Sequence, residues 1–340
     1  KPVSAFGRPI KRVGRTNQVL KRVEAQRLVE TSTGKTWDTF LCDGFTDKDI
    51  SKKAIRDFLR RCGMKTSTPF ADVIHNLRMT VGNGYSNAAA LLFGSNPQRF
   101  IIQAQTKCAR FEGNDSVNFL DERTFEGPIF TQLDEAMAFV ARNTRRALVI
   151  TGKPAHDVVP EYPEDAVREA IINALSHRDY ADGGTIQVRI YDNCLEVWNP
   201  GSLPHDLTIR KLYRTHRSHP RNVQLAGAFF RANYVEQWGS GTLRMIKTCQ
   251  RYNIKVEFKT EANTFIVRFR KNESLHNEAT QSPTQSTDPV IKLVGALKKG
   301  ELSSGQIRKI IEVKHRPTFR KNYLHPALSR GLIKRTIPDH

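Results

Sequence analysis

The stretch Pro163-Glu164-Asp165-Ala166-Val167-Arg168-Glu169-Ala170-Ile171-Ile172-Asn173-Ala174-Leu175-Ser176-His177 sets the reading of this chain. A proline in the first turn, followed by two acids near the positive end of the peptide dipoles, is a strong helix start. Val167, Ala170, Ile171 and Ala174 recur at i, i+3, i+4 and i+7, which gives the predicted helix one buried stripe. Glu169 and Asn173 are four residues apart on another face, one above the other. Such a pair can serve one site: the carboxylate polarises a water and the amide oxygen ligates a hard cation such as Mg²⁺. By spacing alone, two solvated polar side chains are the commoner outcome of this pattern.

Downstream, Ile186, Val188 and Ile190 alternate with polar residues, and Leu195 and Val197 repeat the pattern beyond Asp192-Asn193. Alternation on both sides of a turn pair that tolerates positive φ predicts a β-hairpin. The return strand leaves through Asn199-Pro200-Gly201-Ser202-Leu203-Pro204, an irregular exit marked by glycine and proline. Further on, Gly239-Ser240-Gly241-Thr242 precedes a predicted helix from Leu243 to Tyr252. A glycine turn feeding a helix N-terminus offers unpaired N–H groups and a favourable dipole to an anion such as phosphate. Upstream, Lys52–Arg61 reads as a helix with Ile55, Phe58 and Leu59 on one side. Residues 86–93 are small and apolar, Arg99–Ala104 reads as a strand, and Leu133–Asn143 as another helix. Gly34-Lys35-Thr36 has the ending of a P-loop, but Val29 stands where that motif needs glycine, so a turn is the reading.

The order of these features resembles the GHKL ATPase fold of gyrase B, MutL and histidine kinases: a helix carrying ExxxN, a hairpin with a glycine exit, a variable segment, then GxG before a helix. The resemblance implies that Glu169 activates the attacking water and that Asn173 holds Mg²⁺. It places Asn199 and Gly201 at the DxGxG motif that receives adenine, and Gly239, Gly241 and Thr242 at the last glycine motif. Asn199 replaces the family's Asp and the second glycine is absent; an Asn oxygen still accepts a hydrogen bond. A narrower likeness rests on Arg168 to Ala174, His177-Arg178-Asp179-Tyr180, Asn199-Pro200-Gly201, Pro220-Arg221-Asn222, Glu236 to Thr242, and Asn87 to Gly94. These are similar to bacterial and archaeal transcriptional regulators labelled "RecG-like, ATP-dependent DNA helicase-related". That family joins a Schlafen AlbA-type domain, a divergent GHKL-like domain and a C-terminal winged helix. Through it Arg221 and Asn222 enter the candidate nucleotide-binding set. The opening Phe6 to Arg15 resembles the end of an AlbA-type domain. With no P-loop and no helicase motif set, the enzymatic expectation is at most a weak ATPase.

Composition points to the partner. The 340 residues carry 54 Lys plus Arg against 34 Asp plus Glu, a formal net charge of +20, which favours a polyanion, DNA first. No apolar run reaches the roughly 18 residues a membrane helix needs, so no membrane association is expected. Five scattered cysteines without CxxC fit a reducing compartment, hence the cytoplasm. The opening Lys1-Pro2-Val3 has neither Met nor a signal segment and reads as the start of a fragment. Asn272–Pro289 is polar, with Leu275 its one large aliphatic residue, and reads as a flexible linker. Beyond it, 12 Lys plus Arg face 3 Asp plus Glu. A helix over Val290–Leu297, a second capped by Ser303 and a third from Pro317 to Leu328 have helix-turn-helix spacing, with a wing strand at Gly331–Arg335. Arg316, Thr318, Arg320, Lys321 and Tyr323 are the candidate DNA contacts. The run Arg214, His216, Arg217, His219, Arg221 stands where GHKL proteins have their ATP lid, and suits phosphate, DNA or open solvent.

The expected architecture is therefore an α+β multidomain chain. Residues 1–62 are the remnant of an AlbA-type domain and a connector, 63–271 a GHKL-like α/β sandwich, 272–289 a linker, and 290–340 a winged helix-turn-helix. The expected function is a DNA-binding transcriptional regulator whose GHKL-like domain binds ATP and Mg²⁺. Two alternatives stand beside it: a nucleotide-free scaffold used for homodimerisation, and a Schlafen-like nucleic-acid-processing enzyme whose active residues lie upstream of Lys1.

Overall fold

A computed structural model of the chain describes residues 3–5, 8–20, 24, 34–149, 157–204, 207–235, 239–271, 293–294, 296–297, 302–311, 313, 315–329 and 332–334. They fall into two compact units, 1–271 and 272–340.

In the first unit the strands are β1 (Val3–Ala5), β2 (Arg8–Val13), β3 (Thr16–Val19), β4 (Thr80–Val81), β5 (Gly84–Tyr85), β6 (Thr106–Phe111), β7 (Phe119–Phe125), β8 (Arg146–Val149), β9 (Asp157–Pro160), β10 (Ile186–Ile190), β11 (Cys194–Pro200), β12 (Ile254–Glu261) and β13 (Thr264–Lys271). The helices are α1 (Lys52–Arg61), α2 (Phe70–Asn76), α3 (Asn87–Phe93), α4 (Ile129–Asn143), α5 (Glu164–His177), α6 (Ile209–Leu212), α7 (Val223–Arg231) and α8 (Gly241–Arg251). Six strands form the central mixed sheet in the order β12-β13-β11-β10-β6-β7. Neighbours are antiparallel except β6 and β10, which run parallel with Val188 opposite Cys108. The predicted hairpin pairs Val188 with Val197 and Ile190 with Leu195. These alternating residues are buried, with α4 packed on β10 and α5 on β11.

Helix α5 begins and ends as its sequence predicts, and Val167, Ala170, Ile171 and Ala174 are all buried. Helix α3 is buried on every side, which small residues such as Ala88, Ala89 and Ala90 allow at the centre of a core. The core crosses residue 62 without a break: Phe45, Ile55, Phe58 and Leu59 pack in one cluster with Leu91, Phe93 and Phe130. A polar tie reinforces it. The Asp38 carboxylate is fully buried and accepts the N–H groups of Gln224 at 2.7 Å and Leu225 at 3.0 Å, which caps α7. Beside it, Trp37 stacks on Tyr180 with ring centroids 4.9 Å apart.

One expectation is corrected. Arg99–Ala104 is not a strand; Pro97–Arg99 forms a 3₁₀ turn and the strand starts at Thr106. Pro97 is set for a first helical turn, and the Gln98 and Gln132 side-chain amides take the Ala104 carbonyl at 2.6 and 2.9 Å. Ile101 is buried while Ile102 is 74% exposed, so the apolar run wraps the core edge instead of crossing it.

In the second unit, α9 (Ser304–Ile310) starts from a capping box made by Ser303 and Gln306. Helix α10 (Arg316–Phe319) passes through a π-helical turn at Arg320–Leu324 into α11 (His325–Ser329). Pro326 has no N–H to give the carbonyl one turn back, and the widened turn directly before it absorbs that loss. Leu293, Ile307, Phe319 and Ala327 form the small core. Arg316, Thr318, Arg320 and Lys321 are exposed. Tyr323 is half-buried and stacks on Phe319, so its ring belongs to the packing of the unit. Residues 332–334 form no strand. The remainder of the expected wing strand, half of the expected first helix and the expected linker lie outside the described residues. No helix among the described residues is long and apolar enough to cross a membrane.

Candidate functional site

A cavity of about 410 Å³ opens between α5, β11, α7 and α8. Glu169 and Asn173 from α5, Asn199 and Gly201 from the end of β11, and Gly239, Gly241 and Thr242 at the start of α8 all line it, with Arg221. Eight of the nine residues proposed from sequence as nucleotide-binding or catalytic thus converge on one space from segments far apart in the chain.

Asn222 does not. It is fully buried, and its amide donates to the carbonyls of Ser176 at 3.0 Å and Arg178 at 2.8 Å. That ties the end of α5 to the start of α7, a structural use that spacing alone could not distinguish from ligand contact.

The glycines are explained by close approach. Gly239 has φ +66°, and a Cβ there would collide with the carbonyl oxygen of His216. A Cβ on Gly241 would collide with Glu169 Oε1, so only glycine lets α8 begin against that carboxylate. The Glu169 side chain is 6% exposed, and its Oε2 accepts from Arg244 Nη2 at 2.8 Å. Its Oε1 accepts from Asn173 Nδ2 at 3.3 Å. Donation by the Asn173 nitrogen leaves the oxygen of that amide as the atom to offer a cation.

Among the described residues, two polar atoms in the cavity wall are buried with no hydrogen-bond partner: Asn199 Oδ1 and Thr242 Oγ1. A buried unpaired acceptor costs about 1–3 kcal/mol, which a donor on a bound ligand recovers. The rest of the wall is largely apolar, with Leu203, Leu207, Leu212, Phe230, Met245 and Val267. Phe230 and Val223 come from α7, which the motif reading missed; the apolar face of Val223–Phe230 was its only signal. His216, Arg217, His219 and Arg221 also line the cavity, so most of the basic run faces this space. Arg221 is partly committed, to Asp179 Oδ2 at 3.3 Å and to the Ser202 carbonyl at 2.7 Å. His177 sits in the same wall. Burial first, then Arg221 and His216, push its imidazole down to about 4, so the ring is neutral at pH 7.

Among the described residues no three His, Cys, Asp or Glu side chains gather into a metal site. The donor set suits a cation held mostly by a ligand's own oxygens and by water, with one protein amide oxygen, which is the habit of Mg²⁺.

Comparison with known proteins agrees with the central part of this picture. Residues 183–269 match the family described as "Putative ATP-dependent DNA helicase recG C-terminal". Residues 288–340 match "Filamentation induced by cAMP protein Fic-like, C-terminal domain". No curated protein matches. Among solved structures, the DIP2311 protein from Corynebacterium diphtheriae has a similar fold, with a TM-score of 0.56 at 19% identity over 94% of this chain. This chain spans 66% of the length of that one. The RecG-related match includes Asn199, Gly201 and the Gly239–Thr242 turn, whereas Glu169 and Asn173 precede it and join them through the fold. Within the mixed α+β first unit, residues 183–269 are therefore similar to an ATPase-like family related to the RecG C-terminus.

Proposed function

We propose that the first unit binds ATP with Mg²⁺ and that the second binds DNA as a winged helix, making the chain a nucleotide-responsive DNA-binding regulator. The observation that carries the nucleotide half is Asn199 Oδ1, a buried acceptor without a partner among the described residues, in a cavity of nucleotide size. The exocyclic amine of adenine is a donor of the right kind for it. Thr242 Oγ1 and the N–H groups at the start of α8 suit the phosphates, and the basic rim of His216, Arg217, His219 and Arg221 favours a polyanion. Mg²⁺, when bound, would neutralise phosphate charge, with the Asn173 oxygen as its protein ligand. Glu169 is the group placed to take a proton from water.

The DNA half rests on the formal charge of +20, on the RecG-related match, and on the exposed Arg316, Thr318, Arg320 and Lys321 along one helical segment. Tyr323, half-buried against Phe319, would reach DNA only through its exposed part. Residues 1–62 are proposed as the remnant of an AlbA-type domain and a connector, of which Phe45, Ile55, Phe58 and Leu59 pack into the core of the first unit, and the cytoplasm is the proposed compartment. The test is a salt titration of duplex DNA binding by the wild type and Lys321→Ala. Loss of one phosphate contact lowers affinity for all sequences alike and reduces the slope of log K against log salt by about 1. An unchanged slope and affinity would take this helix out of the DNA interface.

A further inference from the structure

Glu169 stands between two cavities. It lines the 410 Å³ space described above and also a second space of about 360 Å³, bounded by Asp165, Arg168, Asn233, Arg244 and Thr248. Arg244 lines only the second, and so reaches the Glu169 carboxylate from the side away from the proposed nucleotide. In the nucleotide reading, that carboxylate is the base for hydrolysis of a nucleoside triphosphate. A water oxygen forms a bond to the γ-phosphorus, the bond from that phosphorus to the bridging oxygen breaks, and water's proton passes to Glu169. As the side chain stands, Oε2 is held by the Arg244 guanidinium at 2.8 Å and Oε1 by the Asn173 amide at 3.3 Å, hard against Gly241.

Resting on the nucleotide reading, we infer that Arg244 is a positioning residue that keeps Glu169 from acting as a base, so that the closed site holds a nucleoside triphosphate without turning it over. The two partners differ in their surroundings. The Glu169 side chain is 6% exposed and the Arg244 side chain 47%. Arg244 is the more exposed of the two, so it is the half that moves outward when the pair opens. Arg244 sits in the first turn of α8, three residues after Gly241, and its backbone N–H bonds the carbonyl of Ser240 at 2.9 Å. Phosphate settling on the Gly239–Thr242 turn therefore acts on the same turn of helix that carries the latch. A charged pair with good geometry in a partly buried setting is strong enough to hold a side chain in one pose.

The experiment measures single-turnover phosphate release from Mg²⁺-ATP beside the affinity for a non-hydrolysable ATP analogue. Arg244→Met is expected to raise the release rate about tenfold or more, because a general base is restored. Analogue affinity is expected to change by less than about threefold, since the ground-state contacts remain. Arg244→Lys, which keeps a cation beside the carboxylate, should reverse most of the rise, and adding Glu169→Gln to Arg244→Met should abolish it. Arg244→Gln carries the same comparison if the methionine variant does not fold. Analogue binding with a release rate that is unchanged or lower in Arg244→Met overturns the latch and leaves the nucleotide reading in place. Failure of the wild type to bind the analogue overturns both.

Discussion

Replacing Arg178 by Ala is expected to lower the unfolding free energy of the first unit by about 3–5 kcal/mol, from the cavity and the lost hydrogen bonds together. Arg178 is 1% exposed, among the largest fully buried side chains. Its guanidinium donates to the Gln103 carbonyl at 2.6 Å and to the Gly184 carbonyl, and lies over the Tyr180 ring at 4.9 Å. Tyr180 in turn stacks on Trp37, so one side chain joins the segment before β6, the loop before β10 and the segment that caps α7. Burial lowers the proton affinity of this guanidinium, and the charge is carried by carbonyl dipoles and a ring face with Asp179 and Asp182 nearby. Truncation leaves two part-buried carbonyls without this donor and a hole where the stem was, and each adds to the loss. Urea unfolding followed by tryptophan fluorescence measures it. A loss below about 1 kcal/mol would mean that water or a neighbour replaces the guanidinium easily.

Gly239→Ala is expected to cost about 2–4 kcal/mol in stability and to weaken ATP-analogue binding about tenfold or more. Left-handed backbone at φ +66° costs a residue with a side chain about 1 kcal/mol. The larger part is steric, since the new Cβ meets the backbone carbonyl of His216. Relief requires residues 216–218 to retreat, and His216, Arg217 and Ser218 line the cavity. Stability and affinity should therefore fall together, seen as a lower melting temperature and a weaker calorimetric isotherm. A variant that loses stability with full affinity would detach this turn from the nucleotide site.

How much of this was legible in sequence follows from the range of the interactions. Local signals held well: the proline and acids at the start of α5, the alternation of Ile186, Val188 and Ile190, and the Ser303 cap each depend on neighbours within a turn or two. Convergence of Glu169, Asn199 and Gly241 on one cavity could be anticipated only from the order of the motifs, because it depends on the sheet bringing distant segments together. What could not be read were long-range partners. Nothing near Glu169 in sequence announces Arg244, nothing near Asp38 announces α7, and Asn222 looked like ligand chemistry until its amide was found tying two helix ends. The strand expected at Arg99–Ala104 failed for the same reason: its β-forming residues were overruled by the Gln98 and Gln132 amides and by Pro97.

The most direct test of the central claim is a calorimetric titration of the full chain with Mg²⁺ and a non-hydrolysable ATP analogue, beside Asn199→Leu. Leucine keeps the bulk at that position and removes the acceptor assigned to adenine. The account predicts binding in the micromolar range, about −8 kcal/mol, weakened about tenfold or more by Asn199→Leu. No heat of binding at millimolar analogue, or equal affinity in the two proteins, would contradict it.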